Sequence, residues 1–418
     1  MKRKLVWAFL GLFLVLCSAG RTWGGDTSGP YPIMKPDRET RLKWINAYET
    51  APKAYIDPSR HFNSMLGGSL SLLSRLPYTP SERNQGSCGN CWAWAGTGVM
   101  EIALDVQENI FDRLSVQFIS SCNTLKDCCD GGWLSDFASF YGSKTYTIPW
   151  SNTNASWQNG DGNCNVPCAT ISISPSHRID SIVGEAIPTH GLGQATAIAN
   201  IKNVLNQNRA VWFGFFMGTA EDWNNFRSFW RNQPESALWD FDPTCNKPWS
   251  WVEGGGHAVL CVGYNDDDPG NSYWIMLNSW GTTAGRPNGI FRVAMDMNYD
   301  CADTNNLYNL FWQTLDVTFS TSAQTIYVEI DGLCNGRNPC YSKIQAALDV
   351  AEAGIIIKVA GGMYPEAPNW KGAGTVTISG GWNAEFTEQT GTTKMYAPRV
   401  SGGGRIEIQP RTRVTPKP

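Results

Sequence analysis

The sequence predicts an α+β protein followed by a smaller β-rich module, and three observations carry that expectation. Apolar residues recur at near-helical spacing after Cys91, at Trp94, Val99, Ile102, Ala103 and Val106. Continuous apolar runs at 258–264 and 273–277 read as buried strands. Beyond Phe319 short β-branched runs alternate with glycine turns as far as Pro418. The 418 residues suffice for two or three domains. Charged residues make up 17% and the hydrophobic set 42%, which excludes a disordered chain. A net charge of −4 offers little to a phosphate backbone and argues against nucleic acid as a partner.

Taken in order, the chain opens on Lys2, Arg3 and Lys4, an apolar run from Leu5 to Leu16, and the small residues Ser18 and Ala19. This reads as a secretory signal peptide over residues 1–19. Gly20 and Arg21 end the run too early for a membrane anchor, so no membrane partner is expected after cleavage. The destination is then an oxidising space, extracellular or periplasmic, where the thirteen cysteines can bridge. Residues 20–75 read as a pro-region or N-terminal arm. Residues 20–36 are rich in Gly, Pro, Thr and Ser, as a flexible arm would be. Leu42, Ile45 and Tyr48 then predict a short amphipathic helix over 37–50. An apolar patch, Leu70 to Leu73, precedes the cysteine- and tryptophan-bearing domain at 76–318. Small polar residues at 320–322 mark a boundary. In the module at 323–418, strands are expected at Ile326–Ile330, Ile355–Val359, Thr375–Ser379 and Ile406–Ile408. Turns are expected at Gly361–Glu366 and Gly380–Trp382. Ser342 and Gln345 predict a capping box before a helical face of Ile344, Ala347, Leu348 and Ala351.

The chemistry concentrates around Cys91. It begins the helical pattern, where free backbone N–H groups and the helix dipole favour a thiolate, the nucleophile of acyl transfer. A nucleophile wants a base, and the histidines are His61, His177, His190 and His257. His257 follows three glycines and opens an apolar strand, so it can face a cleft while the strand anchors it. Asn278 stands at the end of the next apolar run, where its side-chain oxygen could fix the imidazole tautomer. The other three histidines have no partner legible in sequence and are expected on surfaces or turns. Asp266, Asp267 and Asp268 read as a solvated hairpin tip. Trp223, Trp230, Trp239, Trp249 and Trp251 read as aromatic packing beneath a long insertion. Asn154-Ala155-Ser156 is a glycosylation acceptor where the host glycosylates. Cys261, inside a strand, is expected to be a free core thiol.

The run Gln85-Gly86-Ser87-Cys88-Gly89-Asn90-Cys91-Trp92, with His257 and Asn278 downstream in that order, resembles the papain-like cysteine peptidases. Asn90 departs from the Ser or Ala usual in that motif. The resemblance continues through Leu114–Phe118 with Cys122, through Cys129-Asp130-Gly131-Gly132, and through Ile201–Leu205 with Ala210–Gly214. It implies two subdomains with a cleft between them, one helical and carrying Cys91, the other β-barrel-like and carrying His257 and Asn278. It further implies Cys91 as nucleophile, His257 as general base and then acid, Asn278 as its orienter, and Gln85 as oxyanion donor. Trp280 would shield the Asn278–His257 bond, and Gly131 and Gly132 would meet the substrate backbone. By the same resemblance Cys88 pairs with Cys129 and Cys245 with Cys301. Cys122 and Cys128 are left to pair with Cys164 and Cys168 in either order, and Cys334 with Cys340 encloses a local turn. No metal and no cofactor are expected, and the partner is a protein or peptide substrate. The rival readings are an exopeptidase, another acyl transferase or cell-wall peptide amidase on the same fold, and a catalytically vestigial surface-binding protein. The C-terminal module resembles the start of a pectate-lyase-like parallel β-helix, and a cell-surface or glycan partner would come with it by analogy.

Overall fold

The computed structural model describes residues 31–60, 67–319, 325–351 and 354–417. The signal segment, the arm as far as residue 30, His61 and the boundary at 320–322 lie outside the described residues.

The first helix, α1 (Arg38–Thr50), starts at Asp37, whose carboxylate accepts the Thr40 N–H at 2.8 Å. Its buried face is Arg41, Trp44, Ile45 and Tyr48. Leu42, expected on that face, is 39% exposed. The face is rotated because a buried acid, Asp303, takes the Arg41 guanidinium at 2.7 Å, so a charged residue displaces a leucine from the core side.

Three helices follow: α2 (Cys91–Glu108), α3 (Val116–Cys122) and α4 (Leu134–Lys144). Ser115 caps α3 by accepting the Phe118 N–H at 2.9 Å. The main sheet takes β1 (Ser69–Ser71), β2 (Tyr146–Thr147), β3 (His177–Ala186), β4 (Val211–Met217) and β5 (Leu238–Trp239). It continues with β6 (Gly255–Asn265), β7 (Tyr273–Leu277), β8 (Ile290–Ala294) and β9 (Leu310–Phe319). Their order is β2-β3-β9-β4-β6-β7-β8-β5, with β1 added to β6. Strand β6 is buried from Gly255 through Tyr264, which explains its uninterrupted apolar run. Helix α2 lies directly on it: a Cβ on Gly98 would meet Leu260 Cδ2 at 2.5 Å. Two more helices, α5 (Gln194–Asn206) and α6 (Ala220–Asn232), complete this region. Helix α6 is absent from the sequence expectation, although Trp223, Phe226 and Trp230 carry its spacing and bury against the sheet.

Helices, sheet and α1 share one hydrophobic core. Disulfides Cys88–Cys129, Cys122–Cys168 and Cys128–Cys164 tie the helical side, which fixes the order left open by sequence. Cys245–Cys301 ties loops beside the sheet, and Cys261 is a free buried thiol. Four of the five tryptophans of the presumed insertion are packed, and Trp251 stands 46% exposed. Asp267 and Asp268 are exposed, as a solvated tip requires, whereas Asp266 accepts from Lys202 Nζ at 2.6 Å and from the Gly68 N–H.

The remaining residues form parallel sheets around a second core of Ile326, Val328, Ile344, Leu348, Ile357, Val359, Val376 and Ile378. The first sheet runs β11 (Cys340–Tyr341), β10 (Thr325–Val328), β12 (Ile356–Ala360), β15 (Thr375–Trp382) and β18 (Arg405–Ile408). The second is β13 (Gly362–Tyr364), β16 (Thr393–Tyr396) and β19 (Thr412–Thr415), and the third is β14 (Asn369–Trp370) with β17 (Arg399–Val400). The glycine segments expected as turns are partly strand. Gly362–Tyr364 pairs with Thr393–Met395, and β15 runs through Gly380 and Gly381. Gly381 has φ +79° and sits where the β12–β15 register shifts. The short helix α7 (Ile344–Val350) has no capping box. Its Ile344 and Gln345 N–H groups donate to the two oxygens of Glu366, at 2.8 and 3.0 Å. The Gln345 side chain is committed elsewhere, accepting the Asn369 N–H at 2.7 Å. Cys334–Cys340 closes the turn before it.

Candidate active site

The β6–β7 register sets the geometry. Leu260 pairs with Leu277, so His257 and Asn278 lie just past the same paired end of the two strands. His257 Nε2 and Asn278 Oδ1 are 2.8 Å apart. The same Asn278 oxygen accepts the Ser279 N–H at 2.8 Å, and its backbone N–H donates to Gly289 O. An oxygen held on two sides accepts from the ring, so Nε2 carries the hydrogen. His257 Nδ1 has no hydrogen-bond partner, which leaves it as the basic nitrogen. The Trp280 ring stacks on the imidazole, 4.5 Å between centroids and 28° between planes. It covers the His257–Asn278 pair, and Phe215 meets the imidazole edge-on at 5.6 Å.

Cys91 is the first residue of α2 and is fully buried. The Ala258, Trp92 and Cys91 backbone N–H groups face its sulfur, which is therefore one residue from His257 along β6. Asn90, in the unusual motif position, does not cap the helix; its amide donates to Ser120 Oγ at 3.0 Å, inside the helical layer. The Cys91 and Trp92 N–H groups thus remain available to the sulfur, while those of Ala93 and Trp94 donate to Asn90 O. Gln85 is fixed by Ser279: its Oε1 accepts from Ser279 Oγ at 2.6 Å, and its N–H donates to Ser279 O at 2.8 Å. One hydrogen of its amide nitrogen goes to Cys88 O at 2.8 Å, and the second remains for a substrate oxygen.

The cleft is closed. Residues 31–36 lie in it, and Met34 exchanges two backbone hydrogen bonds with Gly256: Met34 N–H to Gly256 O at 2.8 Å, and Gly256 N–H to Met34 O at 2.9 Å. Tyr31 rests on Trp280 at 5.1 Å. A Cβ on Gly131 would touch Met34 Cβ at 2.9 Å, and one on Gly132 would meet the Trp92 ring at 2.5 Å. Burial in this closed cleft pushes the Cys91 thiol up to about 12, against the Ala258 N–H of β6 and the Trp92 and Cys91 N–H groups of the helix. The same burial pushes His257 down to about 3, against its bond to Asn278. Both groups are neutral here, the state in which a thiol is least nucleophilic.

His177 and His190 have partners that sequence did not disclose. His177 pairs with Asp112 at 2.9 Å, while His190 bonds Leu310 O and stacks on Tyr308. Among the described residues, the sulfurs of Cys88, Cys128 and Cys129 cluster within 4.8 Å, and all three are spent in disulfides. No helix among the described residues is long and apolar enough to cross a membrane. Sequence reasoning missed Met34 and Trp44 at the cleft and Ser279 as the anchor of Gln85. Only Ser279 had a signal, its place beside Asn278.

The family model described as papain family cysteine protease matches residues 77–190 and 241–310. Cathepsin B-like CP2 of Giardia intestinalis is 26% identical over 238 residues, covering 56% of this chain and 70% of the relative. The senescence-specific cysteine protease SAG12 of Arabidopsis thaliana is 27% identical over 262 residues, covering 62% and 66%. Cathepsin L of Sarcophaga peregrina is 26% identical over 227 residues, covering 52% of this chain and 56% of its own length. Of the three, the chain thus spans more than two thirds only of the first. The proCathepsin B S9 structure from Trypanosoma congolense covers 65% of this chain and 84% of its own, at 16% identity and a TM-score of 0.45. All the matched family positions fall within residues 77–310, which therefore carry the two-subdomain α+β fold of the papain-like cysteine proteases.

Proposed function

We propose that the protein is a secreted cysteine endopeptidase made in a latent form. The observation that carries this reading is the imidazole of His257, held through Nε2 by Asn278 with Nδ1 unpartnered, beside a thiol at the start of a buried helix. With the cleft open, His257 Nδ1 takes the Cys91 proton and the sulfur attacks the peptide carbonyl carbon. The oxygen that becomes negative is received by the free Gln85 amide hydrogen and the Cys91 backbone N–H. His257 then gives its proton to the leaving amine, and a thioester remains on Cys91. Water, deprotonated by His257, attacks the thioester and releases the acid. Asn278 holds the ring in one tautomer throughout, and Trp280 keeps water from their bond.

Latency follows from Met34 at Gly256 and from the neutral Cys91 and His257 beneath it. Alkylation tests the whole reading. Iodoacetamide should label Cys91 rapidly in N-terminally trimmed protein, slowly in the untrimmed chain, and not in Cys91→Ser. His257→Ala should slow labelling of the trimmed form. Equal, slow labelling of all trimmed forms would remove the reading.

The C-terminal module is read as a short parallel β-helix, because successive coils add strands to the same sheets: β12, β13, β14, then β15, β16, β17, then β18 and β19. A glycan or cell-surface partner is its proposed use. Retention of the full chain, but not of a chain ending at residue 319, on immobilised polysaccharide or whole cells would support it.

A further inference from the structure

The N-terminal arm is held in two different ways. Residues 31–36 bury the Ile33 and Met34 side chains in the cleft, and their polar contacts are exchangeable ones that include the Met34–Gly256 backbone pair and the Lys35 ammonium on the Glu253 carbonyl at 2.8 Å. Helix α1 is held as core. Arg41 is fully buried, with Nη1 on Asp303 at 2.7 Å, Nη2 on Asn309 Oδ1 at 3.0 Å, and its guanidinium 3.8 Å from the Trp249 ring. Tyr48 Oη donates to Ile187 O at 2.9 Å. The chain after α1 then binds β3: Ala54 N–H to Ala186 O, and Ala186 N–H to Pro52 O, both at 2.9 Å. Losing α1 would leave Asp303 buried without its cation, whereas losing residues 31–36 uncovers apolar surface under Ile33 and Met34 and backbone groups that water can satisfy, with no buried charge left unpaired.

Helix α1 also shapes the cleft. Trp44 stacks on Trp133 (5.6 Å, 12°) and lies parallel to Phe216 (6.2 Å, 10°). A Cβ on Gly131 would be 3.1 Å from Trp44 Cη2 and 2.9 Å from Met34 Cβ. A Cβ on Gly256 would be 2.4 Å from Phe216 Cε1 and 3.3 Å from Met34 Cε. The Met34 side chain, 1% exposed, thus fills a slot between Gly131 and Gly256, beside the indole of Trp44 on one side and the ring of Phe216 on the other.

Resting on the cysteine-peptidase reading, we infer that α1 is a permanent wall of the active enzyme and that Trp44 is a specificity-determining residue. Activation removes or displaces only the segment up to about Arg38. The slot Met34 vacates then accepts an unbranched or γ-branched apolar side chain of the substrate, such as Met or Leu.

Two measurements test this. Limited trypsin digestion of the full chain, read by mass spectrometry, needs no peptidase activity. Cleavage after Arg38 should come first, since Pro36 blocks the bond after Lys35, with residues 39–57 still protected and co-eluting with the domain. Early loss of residues 39–57 would overturn the inference. In the second, active enzyme is assayed on peptide series carrying Met or Ala at each position. Trp44→Ala should lower the Met-over-Ala ratio of kcat/KM by roughly tenfold at one position, and Trp44→Phe should restore most of it. An unchanged ratio in Trp44→Ala, or an active species beginning beyond Thr50, would overturn the inference while leaving the peptidase reading intact. Failure of Cys91 to react in any form would instead strike that reading, and the digestion result would still decide the place of α1.

Discussion

The main sheet and the C-terminal module are wired in opposite ways. In the main sheet, β6 is flanked by strands from before and after it, and β9 lies between β3 and β4. In the C-terminal module the described strands pair in parallel, most of them with their counterparts one coil away. The first wiring brings together residues remote in sequence: Gln85, Cys91, His257 and Asn278 meet at one point. The second pairs each strand with one a coil away, so most of the contacts it makes stay within a few tens of residues in sequence. Convergent chemistry needs a scrambled chain order; an extended, repetitive surface needs a preserved one.

That contrast can be broken or sharpened by experiment. The largest effect is expected at the point of convergence. Cys91→Ser in trimmed protein should lower peptide hydrolysis by on the order of 10⁴-fold or more, with the melting temperature unchanged. Gln85→Ala should cost about 10²–10³ in kcat, with a smaller change in KM, because its free hydrogen meets charge that develops only in the transition state. Progress curves on one peptide measure both.

A third effect is a pH window for the closed arm. His257 is held near 3, against 6.5 for an ordinary imidazole, so its contribution to the closed state is present above pH 6.5 and lost as pH falls toward 3. Cys91 is raised to about 12 from 9, so its contribution is present below pH 9 and lost as pH rises toward 12. Protection of the Met34 and Gly256 amides from hydrogen exchange, corrected for the intrinsic rate, should be greatest between these limits. It should weaken by up to about tenfold per pH unit on either side. A flat profile would mean that the arm does not sense the two groups beneath it.

The smallest effect belongs to the module. Glu366→Ala should destabilise it by about 1–2 kcal/mol through the lost cap on α7, without changing kcat/KM. Denaturant unfolding followed beside the peptidase assay separates the two. A parallel loss of activity would show that the two wirings are energetically coupled.

Much of the site was legible because its residues carry their chemistry in their type and order. A cysteine opening a helix, a histidine entering a strand through glycines and an asparagine closing the next strand needed no structure to be noticed. The closed cleft was not legible. Met34 reaches Gly256 through backbone atoms, which leave no mark in sequence, and its Gly- and Pro-rich surroundings read as a flexible arm. Arg41 was passed over because a buried arginine makes sense only with Asp303, and nothing local announces that partner. The cap on α7 misled for the same reason: Ser342 and Gln345 satisfy the local pattern, while Glu366 arrives from the following coil.

That glutamate also orders events in time. A helix of seven residues is too short to persist alone in water. During synthesis Ile344–Val350 leaves the ribosome before residue 366 exists to hold its first turn. The opening coil of the module therefore waits for the next one, and the module closes from its second coil backward onto its first.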